Sequence, residues 1–76
     1  MIHIAKMGTN YPDYHGSGYY NFLMEDSADA LEDKIEEYSH DFHLVAQKET
    51  KFQSVENLVK KYPSKDKLNA ALFGVA

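Results

Sequence analysis

The sequence contains no cysteine and no arginine among its 76 residues. Without cysteine the chain forms neither disulfides nor thiolate metal sites, which fits a reducing compartment, and we predict a cytoplasmic protein. Arginine is the side chain that most often reads guanine edges and grips phosphates at two points, so its absence disfavours sequence-specific DNA recognition. We also find no basic leader and no long apolar run, which predicts neither a signal peptide nor a membrane span.

Catalytic and metal-binding motifs are missing as well. The sequence has no nucleophile elbow, no HExxH pattern, no Walker loop and no spaced cysteines. His40 and His43 are three residues apart across a predicted loop-to-strand junction, where this spacing places side chains on opposite faces. We therefore predict a non-enzymatic protein with no metal site and no cofactor.

The pattern of apolar residues predicts one small α+β domain over residues 1–76. Alternation predicts strands over residues 2–7, 19–25 and 42–47. The expected order is β-β-α-β-α-α, with an antiparallel hairpin, a crossover strand and the first strand in the centre of a three-stranded sheet. We expect all helices to pack on one face of this sheet.

Three helices are predicted from start signals and helical spacing. The first begins after a cap at Asp26 or Ser27 and ends near Ser39. The second opens with a Thr50-x-x-Gln53 capping box, and a last short helix is capped by Ser64. The predicted buried stripe of the second helix consists of Phe52, Val55, Leu58, Val59 and Tyr62.

The C-terminal run over residues 70–76 is largely apolar and would form an exposed patch if it frayed into solvent. Either it folds back onto its own domain or it packs against a second copy. Pro63 and Ser64 turn the last helix toward the body, so the sequence favours burial within a monomer over a homodimer.

Negative charge is concentrated in the first helix. Residues 25–41 carry eight acidic residues and one lysine, a net of −7 within a chain of net charge −4. At roughly 100° per residue, five acids share one half-turn opposite the apolar stripe. Like charges three or four residues apart oppose helix stability, so this face is either a solvated surface or a surface for a basic partner. Its members are Asp29, Glu32, Asp33, Glu36 and Glu37.

A second candidate is the loop before the second strand. Tyr11, Tyr14 and Tyr19 lie there with asparagine, serine and three glycines, a composition typical of binding loops. The alternative is structural, with Tyr11 covering the edge of the core and Tyr19 belonging to the strand. The loop is longer than a hairpin needs, and such loops often carry function, so both interpretations stay open.

These features predict a module that binds a protein with a basic surface. We expect no binding to membranes. At the level of composition alone, the chain is similar to small phage proteins that inhibit host machinery, such as anti-CRISPR or anti-restriction factors. One alternative is a nucleic-acid-binding accessory protein that uses a lysine cluster and stacking tyrosines. Another is a self-assembling structural protein that associates through sheet edges. The lysine cluster comprises Lys60, Lys61, Lys65 and Lys67.

Overall fold

The computed structural model describes residues 1–74 and contains three strands and four helices in that range. None of these helices combines the length and the apolar composition needed to cross a membrane. In chain order the elements are β1 (Ile2–Thr9), α1 (Pro12–His15), β2 (Tyr20–Glu25), α2 (Ala28–Glu37), β3 (Phe42–Thr50), α3 (Phe52–Lys61) and α4 (Lys65–Phe73).

The strands form one sheet of order β2-β1-β3, in which β1 is central and pairs antiparallel with both neighbours. This confirms the predicted α+β class and the predicted strand order. Between β1 and β3 the register shifts: Lys6 pairs with Ala46, whereas Met7 pairs with Leu44. Val45 is therefore the extra residue of a β-bulge on an edge strand.

The core lies on both sides of the sheet, which corrects the expectation that all helices pack on one face. Ile4 packs with Val55 of α3 and Leu72 of α4, whereas the next residue, Ala5, packs with Met7 and Leu31 of α2. Successive strand residues point to opposite faces, so a central strand that is apolar on both sides needs a cover on each. The helix α2 covers one face, and α3 with α4 covers the other.

Helix starts follow the predicted signals only in part. Ser27 caps α2 as predicted, because its Oγ accepts a hydrogen bond from the backbone N–H of Ala30 at 3.1 Å. The predicted capping box is wrong: Thr50 is the last residue of β3, and Lys51 occupies the N-cap position of α3 without a side-chain bond. Pairing of Thr50 with Ile2 extends β3 three residues past its predicted end.

The predicted stripe of α3 is only partly buried. Val55 is buried and Leu58 and Tyr62 are half-buried, but Phe52 is 62% exposed and Val59 is 46% exposed. At roughly 100° per residue, Phe52 and Val59 share a row that is displaced from the row of the other three. The row of Phe52 and Val59 is therefore exposed to solvent, and only the row of Val55, Leu58 and Tyr62 contributes to the buried stripe.

The C-terminal run folds back onto the domain as far as the described residues reach. Leu72 is 3% exposed, and the ring of Phe73 stacks on Phe22 with 6.0 Å between centroids. The Lys48 ammonium donates to the Leu72 carbonyl at 2.9 Å, which ties α4 to β3. Val75 and Ala76 lie outside the described residues.

We predict that Leu72→Ala lowers the free energy of unfolding by about 2–5 kcal/mol, because it leaves a cavity between α4 and the sheet. The matched control is Leu44→Ala, since Leu44 is 44% exposed on β3 and its loss should cost about 1 kcal/mol or less. Urea denaturation of both variants measures the difference. Equal losses would contradict the placement of Leu72 in the core.

Candidate functional site

The segment over residues 10–19, called the tyrosine loop below, contains a single helical turn that the sequence did not predict. Pro12 occupies its first turn, and the N–H groups of Tyr14 and His15 donate to the Tyr11 carbonyl at 3.0 and 2.9 Å. Proline fixes the φ angle that a first helical turn needs. Gly16 and Gly18 then take φ values of +99° and +81°, which favour glycine, and return the chain to β2.

Asn10 anchors the tyrosine loop to the turn between α2 and β3. Its backbone N–H donates to the Asp41 carbonyl at 2.8 Å, and its side-chain amide donates to the carbonyls of Ser39 and His40 at 3.2 Å each. Its Oδ1 accepts from Nδ1 of His43 at 2.8 Å, which fixes the tautomer of that ring. Four hydrogen bonds therefore join two segments that lie about thirty residues apart.

A layer of stacked rings supports the loop from within. The rings of His15, Tyr19 and Phe42 form a triangular cluster: the His15 centroid lies 4.7 Å from Tyr19 and 5.5 Å from Phe42, and those two centroids are 6.3 Å apart. Tyr14 approaches the same ring edge-on at 4.9 Å, and Nδ1 of His15 shares a hydrogen bond with the Thr9 hydroxyl. The loop thus has a small aromatic core of its own.

The three predicted tyrosines are all exposed. Tyr14 is 85% exposed, whereas Tyr11 and Tyr19 are 41% and 36% exposed. The Tyr11 hydroxyl lies 3.3 Å from Nε2 of His40, so this ring also helps to fix the loop. Because β2 begins at Tyr20, Tyr19 belongs to the loop and not to the strand. Tyr14 is the ring with the most surface available to a partner.

The five predicted acidic residues lie on the solvent-facing side of α2, and all of them are exposed. Leu31 is buried on the opposite side of the helix, against Ala5 and Met7. Within residues 1–74, the one ion pair of α2 joins Lys34 to Glu37 at 3.5 Å. Within that range the other four acids of this face make no ion pair: Asp29, Glu32, Asp33 and Glu36.

The tyrosine loop contacts the turn that follows the C-terminal end of α2. The helix α2 ends at Glu37, and residues 38–41 connect it to β3. Those same connecting residues accept the hydrogen bonds from Asn10. Glu36 and Glu37 therefore lie at the end of α2 that adjoins the loop, and Asp29 lies at the far end.

Most of the C-terminal lysines are engaged within the chain. Lys60 pairs with Glu56 at 3.5 Å, and the Lys65 ammonium donates to the Tyr20 carbonyl at 2.7 Å. Lys61 lies over the ring of Tyr62, 5.4 Å from its centroid. The lysine cluster is thus divided among several local contacts.

The side chain of Tyr20 also links β2 to α4. Its hydroxyl donates to the Asp66 carboxylate at 2.7 Å. Partial burial of the phenol, and then the hydrogen bond to Asp66 and its negative charge, raise the pKa of Tyr20 to about 12. Tyr20 therefore remains a neutral hydrogen-bond donor at physiological pH.

No group of three or more histidine, aspartate or glutamate side chains in residues 1–74 is arranged to hold a metal ion. His40 and His43 instead contact Tyr11 and Asn10, respectively.

Sequence reasoning missed Asn10, His15 and Phe42 as the residues that order the loop. A signal existed for Asn10, because asparagine after a strand often bonds nearby backbone. Its partners, however, lie on a distant turn, and no local spacing pattern indicates such contacts. The stacking of His15 on Phe42 also joins residues that are remote in sequence.

No protein-family model, curated protein or solved structure matches this chain in comparisons with known proteins. The function must therefore be argued from the residues and contacts described above.

We predict that Asn10→Ala releases the tyrosine loop while the sheet stays folded. Loss of the side-chain bonds to the α2–β3 turn should make the amides of Tyr14, His15 and Gly16 exchange with solvent about tenfold faster or more. Hydrogen exchange followed by NMR measures this. Asn57→Ala is the control, because Asn57 accepts only a local bond from Gln53 on α3. Unchanged loop exchange in Asn10→Ala would contradict the anchoring role.

Proposed function

We propose that this protein is a non-enzymatic module that binds a partner with a basic surface through α2 and the tyrosine loop. The observation that carries the proposal is the acidic face of α2, where four exposed carboxylates have no ion-pair partner within residues 1–74. The ordered loop beside it adds exposed tyrosine rings. Together they offer charge on α2 and exposed rings on the loop that contacts the turn after α2.

The energetics of α2 favour a role in binding. Each like-charge pair at three- or four-residue spacing costs about 0.2–0.5 kcal/mol, and Glu36 and Glu37 also lie at the negative end of the helix dipole. The lysine and arginine side chains of a partner would relieve this repulsion. Complementary charge of this kind accelerates encounter and selects among partners.

The tyrosine loop supports the proposal because it is ordered by its own contacts. Freezing a flexible loop on binding costs conformational entropy, and that cost falls when the bound conformation exists beforehand. The Asn10 bonds and the His15 stack hold the loop, and Tyr14 projects from it as an exposed ring. Tyrosine gives large contact area at low entropy cost, which is why it anchors many interfaces.

A finer form of the proposal concerns the partner. A row of carboxylates on a helix can occupy a surface that a protein normally uses to bind phosphates. The partner would then be a nucleic-acid-binding protein, and this chain its inhibitor, of the type that phages and mobile elements encode. Binding of nucleic acid by the chain itself is less well supported, because Lys60, Lys61 and Lys65 are each engaged in contacts within the chain.

We predict that Glu32→Gln combined with Glu36→Gln weakens partner binding without unfolding the protein. Removing this repulsive pair should raise the free energy of unfolding by about 0.2–0.5 kcal/mol. The matched control is Glu49→Gln with Glu56→Gln, which removes the same charge outside α2. Both variants and the unmodified protein serve as baits in affinity capture from native extract with and without nuclease treatment, with quantitative mass spectrometry.

The expected result is a protein that the unmodified bait and the control recover and that the α2 variant loses. Equal recovery by both variants would identify the acidic face as merely solvated. If nuclease treatment abolished recovery from every bait, the interaction would run through nucleic acid, and the proposal would be wrong.

We predict that Tyr14→Ala weakens binding of the captured partner by more than about 1 kcal/mol, roughly fivefold, if this ring is an anchor. Its exposure means that stability should change by about 0.5 kcal/mol or less. Phe52→Ala is the control, because Phe52 is a comparably exposed ring on α3. Calorimetric titration of each variant measures the effect, and equal affinities would exclude Tyr14 from the interface.

A further inference from the structure

A groove of about 380 Å³ opens where the tyrosine loop meets the sheet. It lies on the face that α3 and α4 cover, beyond the cluster that these helices form around Ile4. Loop residues Pro12, Gly18 and Tyr19 form part of its wall, and Lys6, Gly8 and His43 also line it. Its volume falls within the range of small-molecule sites.

Lys6 is the reason to expect a ligand with negative charge. The side chain is half-buried, and its ammonium lies 4.6 Å from the centroid of the Tyr20 ring. Within residues 1–74 this ammonium makes no ion pair and no hydrogen bond. A cation that is partly removed from water gains from an anionic partner. The described lining contains no acidic residue, and Asp66 instead accepts a bond from the Tyr20 hydroxyl.

His43 supplies a second polar group to the same groove. Its Nδ1 is engaged by Asn10, and its Nε2 lies 3.1 Å from the position that a Cβ atom on Gly8 would occupy. Val45 Cγ2 lies 2.9 Å from that same position. Any side chain at position 8 would displace both groups, so the glycine leaves space at the base of the groove.

We propose that this groove binds a small molecule that carries one oxyanion, carboxylate or phosphate, on a compact apolar body. The ammonium of Lys6 takes the oxyanion, and the His43 ring forms part of the groove wall beside it. Val45, Pro12 and the tyrosine rings contact the apolar part. This site lies outside the acidic face of α2 and does not depend on the proposed protein partner.

The test is an NMR titration of the ¹⁵N-labelled protein with phenyl phosphate and, separately, with benzoate. We expect saturable shifts of the Gly8, Gly18 and His43 amides with at least one of them, and the stronger binder identifies the preferred oxyanion. Lys6→Met keeps an apolar stem without charge and should weaken binding about tenfold or more. Lys67→Met, which removes a lysine that does not line the groove, should bind as the unmodified protein does.

Gly8→Ala provides an independent variant, because its methyl group would push His43 and Val45 into the groove while Lys6 keeps its charge. It should also weaken binding. Absence of saturable shifts with both probes, or equal affinity in Lys6→Met, would overturn the proposal. The proposal would also be overturned if acetate bound as tightly as benzoate and inorganic phosphate as tightly as phenyl phosphate, because the groove would then not recognise the apolar part. The Glu32→Gln, Glu36→Gln variant should bind the probes unchanged, which separates this site from the acidic face of α2.

Discussion

Burial of β1 on both of its faces is the constraint on which the rest of the structure depends. Ile4 and Ala5 are adjacent and fully buried, so the central strand requires a cover above and below. The helix α2 supplies one cover, and α3 with α4 supplies the other. A chain of 76 residues buries a limited core, and a strand that contributes to two layers uses its apolar residues efficiently. The position of α2 fixes which of its sides faces solvent, and that side is acidic.

The acidic residues of α2 differ from the lysines in how far they are engaged within the chain. Several lysines contact partners within the chain, whereas most acids of α2 do not. The loop is held by Asn10 and by the ring of His15, both of which contact the segment that leads from α2 into β3. One connection thus positions the end of the acidic helix and orders the tyrosine loop. This coupling is the physical basis for the proposal that the two features act together.

Local signals predicted much of the fold and part of the site. Alternating apolar residues indicated the strands, Ser27 indicated the start of α2, and helical spacing indicated its acidic face. The predicted sheet order is also confirmed. The capping box at Thr50 was wrong because strand pairing with Ile2 overrides a local helix-start pattern. The anchoring by Asn10 could not be predicted, since it depends on carbonyls 29 and 30 residues away.

Binding through the tyrosine loop, as proposed, depends on a loop that is ordered before any partner arrives. Backbone ¹⁵N relaxation of the free protein tests this most directly, because order parameters report motion on the picosecond-to-nanosecond timescale. We expect order parameters for Tyr14 and His15 close to those of β1, about 0.85. Values below about 0.6 across residues 11–18 would show a flexible loop and contradict the claim.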